Sequence, residues 1–445
     1  MNSLENPPQV LQEELPTPPL EDATLPPVDM NRVAVLILGG GQGTRLFPLT
    51  VTRCKPAICF GGIYRLIDIP ISNAINCRCN KLFIITQFLS SSLHQHIFQT
   101  YRYDIFSSGF IELLPAEEKP SRKEWFQGTA DAVRQNIEYF IETPVDYFLI
   151  LSGDQLYNMN FQSMVRMAQK TQADLIVATL PVNKSDAKRM GLLKVSSDHS
   201  ITDFCEKPQE DEVLKQYESA TGNTKEEKPY LGSMGIYLFK REALLNILKN
   251  DKRDDFGKHL IPAMVQQGKT KAYIYDGYWE DIGTIESFYN ANMALTRQKP
   301  LFDCYDEQRP IFSHRTNLPG PKIFDTQVKN SIICQGAVVE ADEITHSILG
   351  PRTVVKKGTI IRDSYIMGSE FYKPPIQTDR LPKEIGIGEN CLIKKCIIDK
   401  HVSIGNNVQL VNKQNRTTYD GDNVFIRDGI IVVPRGTTIP DGFVL

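Results

Sequence analysis

The chain has 445 residues, more than one hydrophobic core usually sustains, so two or three domains are expected. Apolar residues make up 41%, the net charge is −3 and the pI is about 6.2, which excludes a global basic field for nucleic acid or an anionic membrane. Nine scattered cysteines argue against a disulfide scaffold, and no run reaches the ~20 apolar residues of a membrane span, so the reading is a cytoplasmic protein without a structural metal.

Residues 1–30 hold seven prolines and six acids but no Lys or Arg, the composition of a disordered acidic arm. The apolar run Val33–Leu38 then predicts a buried strand, followed by Gly39-Gly40-Gly41-Gln42-Gly43-Thr44-Arg45-Leu46 and, a little further on, Arg53 and Lys55. Four glycines let a backbone wrap closely around phosphates, with amides as donors and Arg45, Arg53 and Lys55 as neutralising cations. Neither of two better-known loops fits: Gly43 is not followed by Lys-Ser/Thr as in a Walker loop, and Thr44 stands where the dinucleotide fingerprint needs its third glycine.

From 33 to about 295, apolar runs such as Leu82–Ile85, Tyr147–Leu151, Leu175–Ala178 and Ile236–Phe239 alternate with helix-like segments such as Thr129–Ile141, Phe161–Thr171 and Arg241–Lys249. This alternation predicts an α/β domain over 31–295 with a largely parallel, two-sided sheet. Ligands of such sheets gather at the carboxyl ends of strands, where Gly39–Arg45 and Ser152-Gly153-Asp154 are expected. Gly128-Thr129-Ala130-Asp131 opens a helix whose first amides suit a nucleobase or phosphate, or serve a plain N-cap. Asp154 and Asp281, each beside a turn glycine, suit a two-carboxylate Mg²⁺ site; taken singly, each also reads as a cap or turn acid. In Glu206-Lys207-Pro208, Lys207 is either the cation for an anionic second substrate or part of a surface turn.

Residues 296–320, with Pro300, Pro310, Pro319 and Gly320, read as a linker. Beyond it the period becomes six: Ile332, Val338, Ile344; Ile348, Val354, Ile360, Ile366; Leu392, Ile398, Ile404, Leu410; Val433, Ile439, Leu445. That is the hexapeptide signature of a parallel β-helix, expected over 321–445, with 367–384 thrown out as a loop.

Taken together, Gly39–Thr50, Arg53-Cys54-Lys55-Pro56, Tyr64–Pro70, Trp125–Ala132, Ser152-Gly153-Asp154, Glu206-Lys207-Pro208, Ser233–Tyr237 and Asp281-Ile282-Gly283-Thr284 resemble the glucose-1-phosphate adenylyltransferases, or ADP-glucose pyrophosphorylases, in order from 33 to the C-terminus. The resemblance implies a Rossmann-like nucleotidyltransferase domain followed by a left-handed β-helix. It also implies Mg²⁺-assisted transfer of an adenylyl group from ATP to α-D-glucose 1-phosphate, giving ADP-glucose and pyrophosphate for glycogen or starch synthesis. In that reading Arg45 neutralises the leaving pyrophosphate, Lys55 the triphosphate, and Asp154 with Asp281 holds the metal. Gly39, Gly40, Gly41, Gly43 and Thr44 cradle the nucleotide, with Gln87 and Gly128 at the adenine. Lys207 takes the sugar phosphate, with Gly191, Glu206 and Ser233 beside the sugar and Phe126 near its ring. The family is tetrameric and allosteric, which implies a homotetramer and phosphorylated metabolite effectors, met here by Lys400 and Arg435.

Four positions depart from the family pattern: Cys54, Ala74, Phe126 and Gln155. None removes a charge the chemistry needs. Competing readings are a pyrophosphorylase using UTP or dTTP, a bifunctional form whose β-helix is an acetyltransferase with only His346 or His401 as base, and a noncatalytic regulatory subunit. The last is disfavoured because Arg45 and Lys55 are both retained.

Overall fold

A computed structural model describes residues 27–41, 43–104, 106, 108–117, 125–223, 228–374 and 382–445, with the backbone alone at 219–223. Most of the expected acidic arm, Gln42 of the glycine loop and the middle of the 367–384 loop lie outside the described residues.

The first domain is built on β1 (Val33–Leu38), β2 (Lys81–Thr86), β3 (Phe110–Pro115), β4 (Tyr147–Ser152), β5 (Gln155–Tyr157), β6 (Leu175–Val182), β7 (Gly191–Val195), β8 (Ile201–Glu206), β9 (Lys228–Lys240), β10 (Thr270–Ile274) and β11 (Trp279–Asp281). Its large sheet runs in the order β8-β7-β9-β4-β1-β2-β3, with β6 joining β9 to β10. Strand β1 shows why this sheet is two-sided. Val33, Val35 and Ile37 enter one buried cluster while Ala34 and Leu36 enter another, so alternate side chains of one short strand feed both faces.

Helices cover each face. On the first lie α1 (Asp68–Asn76), α2 (Ser91–Thr100) and α4 (Phe161–Thr171), and on the second α3 (Thr129–Gln135). In α4 the residues Phe161, Met164, Val165 and Ala168 fall at helical spacing and are all buried, worth roughly 1.5–3 kcal/mol for each large side chain. The Asn160 side chain accepts from the Gln162 amide to start this helix, and Gln172, left-handed at φ +52°, stops it.

Only half of the sheet is parallel. Strands β4, β1, β2 and β3 run together, whereas β9, which contains the Ile236–Phe239 run, is antiparallel to β4, β6 and β7. A fully apolar strand reads the same in either direction, so periodicity could not give its sense.

From Lys322 onward short strands stack into three parallel faces, a β-helix. Within uninterrupted coils, paired residues stand 16 or 17 positions apart, as in Val338 with Val354 and Ile344 with Ile361. A strict six-residue period over three faces would require 18. The period therefore finds the strands and puts Ile344, Ile366, Ile398, Ile404, Leu410, Val433 and Ile439 in the core, but slips by one at Val338, Val354 and Ile360, which are half-buried beside the core residues Val339, Val355 and Ile361. Two excursions leave the coils. One follows Ile366, as expected; in the other, β12 (Thr418–Asp420) and β13 (Phe425–Arg427) fold antiparallel onto β14 (Ile430–Val433), which rejoins the coil beside Cys396–Ile398.

A shared apolar cluster joins the two domains, with Phe60, Leu66 and Phe288 meeting Ile348, Tyr365 and Ile430. The segment 296–320 is tied down at Phe312 and Ser313: the Phe312 amide donates to Ser72 Oγ at 2.8 Å, its carbonyl accepts from the Tyr101 hydroxyl at 2.8 Å, and Ser313 Oγ donates to Asp68 at 2.6 Å. Among the described residues no helix is long and apolar enough to cross a membrane.

Candidate active site

After Leu38 the chain leaves the parallel half of the sheet at its carboxyl edge, where the Gly39 amide donates to the Ile85 carbonyl at 2.8 Å. Gly43 is left-handed at φ +65°, and a Cβ there would stand 3.1 Å from both Lys55 Cβ and Thr50 Cγ2. Glycine is what lets Lys55 close over the loop. At Gly41 a Cβ would meet nothing within 4 Å, so room for a ligand lies on that side, while Gly40 rests against Gln87. Thr44 opens the short turn Thr44–Leu46, which leaves Arg45 exposed.

The acids arrive from two directions. Following β4, the Gly153 amide donates to the Leu38 carbonyl at 3.0 Å and sets Asp154 beside the glycine loop. Antiparallel pairing of β5 with β11 places Asp281 opposite Gln155 and hence next to Asp154. Lys55 Nζ lies 2.5 Å from Asp154 Oδ2 and 3.6 Å from Asp281 Oδ1, and the Ser152 hydroxyl donates to the other Asp154 oxygen. Arg45 completes the group: a Cβ on Gly283 would stand 3.1 Å from Asp281 Oδ2 and 3.6 Å from the Arg45 guanidinium nitrogens.

Removal from water presses on Lys55, Asp154 and Asp281, and their neighbours decide the outcome. Burial favours neutral Lys55, but Asp154 and Asp281 outweigh it and hold the ammonium above the ordinary lysine range. Burial also pushes Asp154 up, yet Lys55 and Ser152 keep it below the usual carboxylate range. Asp281 is raised, first by burial and then by the Asp154 charge. One neutralised carboxylate beside one that is not, both hard oxygen donors, fits a divalent ion such as Mg²⁺.

A second wall stands on the antiparallel flank. Glu206 pairs with Gly191 across β7 and β8, and its carboxylate is enclosed by two glycines: a Cβ would stand 2.8 Å from Glu206 Oε2 at Gly191 and 2.6 Å at Gly257. Lys207 follows in a left-handed conformation at φ +48°, its amide donating to the Met190 carbonyl at 3.2 Å and its Nζ 3.3 Å from Glu206. Ser233 begins a bulge in β9, where its Oγ accepts from the Gly235 amide at 3.3 Å. Tyr237 interacts with both Ser233 and Glu206; burial, then the Glu206 charge, holds its phenol well above the ordinary range.

Gln155 links the two walls. Its Nε2 donates to the Met234 carbonyl at 2.8 Å, and its Oε1 accepts from the Trp279 indole at 3.2 Å. In sequence it stood out only as a departure from the family pattern, and Tyr237 was missed as a site residue altogether. The other departures are quieter: Cys54 and Ala74 sit in the apolar core.

Three expectations meet a different setting. Arg53, counted among the phosphate cations, is turned away from the glycine loop and forms a 2.6 Å ion pair with Asp399 of the β-helix, both 2% exposed. It is a strut between domains. The first amides of α3 are not free, since those of Ala130 and Asp131 donate to the Asp254 carbonyl at 2.8 and 3.0 Å; Gly128 is pressed against the same backbone, 2.4 Å from a hypothetical Cβ. Phe126 lines a narrow cleft with Leu114, Pro115 and Asn136 at the end of β3.

Lys400 and Arg435 lie apart from these walls. Both approach Glu370, at 3.0 and 3.7 Å, and His401 Nε2 is 3.2 Å from the same carboxylate. The His401 hydrogen bond, then Lys400, holds Glu370 well below the usual carboxylate range. Lys400 and Glu370 open onto an interdomain cavity of about 1060 Å³ that Arg65, Arg315 and Arg352 also line; Arg435 stands behind it.

A family model described as nucleotidyl transferase matches residues 34–298, more than half of the chain. A second, described as the GLGC left-handed parallel beta-helix domain, matches residues 316–444. The first implies nucleotide and sugar phosphate substrates, in keeping with two facing walls. The chain thus belongs to the nucleotidyl transferase family, and its joining of that domain to a left-handed β-helix is the architecture of the glucose-1-phosphate adenylyltransferases.

Proposed function

We propose that the protein transfers the adenylyl group of ATP to α-D-glucose 1-phosphate, releasing pyrophosphate. The observation that carries this reading is Lys55 set between Asp154 and Asp281 with Arg45 beside them, at the mouth of a glycine loop. Two cations and two acids leave this group close to neutral. A divalent ion held by Asp154 and Asp281 supplies the surplus positive charge that a triphosphate needs.

The reaction is an in-line attack of a sugar-phosphate oxygen on the α-phosphorus. A phosphate monoester, with its second pKa near ~6, is already ionised at neutral pH and needs no general base. What remains is alignment and charge neutralisation. Lys55 meets the triphosphate, Arg45 meets charge developing on the departing pyrophosphate, and the glycine loop admits the phosphates to its amides. Lys207 anchors the sugar phosphate, while Glu206 and Ser233 accept and donate to sugar hydroxyls. The cations around the interdomain cavity suit phosphorylated effectors, and assembly as a homotetramer belongs to the same reading.

The test is a panel of nucleoside triphosphates with glucose 1-phosphate and Mg²⁺, followed by pyrophosphate release. ATP should be preferred. Preference for UTP or dTTP would replace the adenylyl assignment, and no release with any nucleotide would favour a regulatory subunit.

A further inference from the structure

Residues Thr44–Leu46 form a single 3₁₀ turn, closed by the Leu46 amide on the Gly43 carbonyl at 2.9 Å and the Phe47 amide on the Thr44 carbonyl at 3.1 Å. Leu46 is buried on one side of Arg45, and Phe47 on the other is 38% exposed, a large apolar ring at the surface of the loop. Arg45 makes no ion pair within 4 Å among the described residues, although its charge reaches Asp154 and Asp281. Its direction follows the turn, which Leu46 and the Thr50 hydroxyl pin from within and whatever holds Phe47 pins from outside.

What holds Phe47 comes from the β-helix. The Phe425 ring meets it edge to face, with centroids 5.2 Å apart and planes at 86°. The Arg427 guanidinium lies over both rings, 5.4 Å from the Phe47 centroid and 5.7 Å from that of Phe425. Arg427 is fixed in turn: it donates to the Tyr419 carbonyl at 3.1 Å and the Ile426 carbonyl at 2.8 Å, and pairs with Asp420. The hairpin carrying these groups is closed by Asp428 and Gly429, left-handed at φ +55° and +73°, the two-residue turn whose twist suits paired strands. A rigid hairpin thus reaches from one domain onto the residue that closes the Arg45 turn.

We propose that this hairpin is a positioning element for nucleotidyl transfer: Phe425 and Arg427 hold Phe47, and through it aim Arg45 at the nucleotide phosphates. The proposal rests on the phosphate role given to Arg45 above. None of the three side chains touches a reacting atom. Their effect is geometric, and small displacements of a catalytic group are costly in rate.

The experiment uses the full chain and compares wild type with Phe425→Leu, Phe47→Leu and the double variant, measuring kcat and both KM values after melting curves establish folding. Phe425→Leu should lower kcat by about tenfold and raise KM for MgATP severalfold, leaving KM for the sugar phosphate within twofold, since that substrate is held on the other wall. The double variant should lose no more than the worse single one, because both act through one contact. Phe425→Tyr should restore turnover. Unchanged kcat in Phe425→Leu, or losses that simply multiply in the double variant, would overturn the proposal. Should Phe425→Leu fail to fold, Arg427→Gln serves instead, with a loss of about threefold and the same KM pattern expected; wild-type kinetics there would equally overturn it. A wild type that transfers no nucleotidyl group removes the functional reading itself, whereas an active wild type matched by its variants removes only the hairpin.

Discussion

Arg53 and Lys55 stand two residues apart on one loop, each is paired with an aspartate, and the fold puts them to opposite uses. Arg53 meets one carboxylate inside the seam between the domains, and both partners are sealed from water. Lys55 meets two, one of which, Asp281, is 43% exposed by its side chain. A buried pair closed in number and in space has no charge left for a ligand. A cluster with an acid to spare and an open side can take a metal and a polyphosphate. Chemical type and sequence position do not separate the two; the count of partners and access to solvent do.

The contrast can be broken at either end. The largest effect should follow Asp399→Ala, which leaves the Arg53 guanidinium buried without a counter-charge; stability by urea titration should fall by about 3–5 kcal/mol. A loss below ~1 kcal/mol would show that the seam admits water. Asp154→Asn should cost less stability, since Asp281 still faces Lys55, and lower kcat by at least ~100-fold, about 2.7 kcal/mol of transition-state stabilisation. Near-normal turnover would remove Asp154 from the metal site. Lys207→Ala, on the opposite wall, should raise KM for the sugar phosphate by about tenfold while largely sparing kcat, and an unchanged KM would count against its role.

The smallest effect is also the most diagnostic in sign. The proton affinity of Asp281 is raised in the folded state, so its contribution to stability is present at low pH and lost as pH rises through the folded value. In the absence of metal, Asp281→Asn should therefore raise the melting temperature slightly at neutral pH. The gain should vanish below about pH 4, where the unfolded carboxyl is also protonated. Activity should fall at the same time. A lowered melting temperature at neutral pH would mean that Asp281 is already neutralised and is not the spare acid.

Much of the site was legible because it is local. The Val33–Leu38 run, the glycines after it and Ser152-Gly153-Asp154 each need only a few neighbouring residues to form. The partnership of Asp281 with Asp154 needs β11 to pair with β5, and the turn glycine beside each acid suggested it where periodicity could not. Arg53 was misread because a cation beside a glycine loop resembles a phosphate ligand, and the acid that captures it lies 346 positions away. In the β-helix the strands were visible and Ile344, Ile366, Ile398, Ile404, Leu410, Val433 and Ile439 do face the core, but at Val338, Val354 and Ile360 the inward residue is the next one along, since the coils are shorter than a strict hexad allows. The β12–β14 hairpin went unnoticed even though Asp428-Gly429 between apolar strands is a local turn signal. Its partner, Phe47, looks in sequence like one more apolar residue after the loop.

Gln155 gives the two walls a common gauge. Both ends of its amide are engaged, one to the Met234 carbonyl next to Ser233 and one to the Trp279 indole beside Asp281. Reacting atoms must meet at about 3–3.5 Å, a tolerance smaller than the length of one methylene group in a side chain. On the proposed function, a neutral residue that need touch neither substrate thus ties together the walls that would hold them.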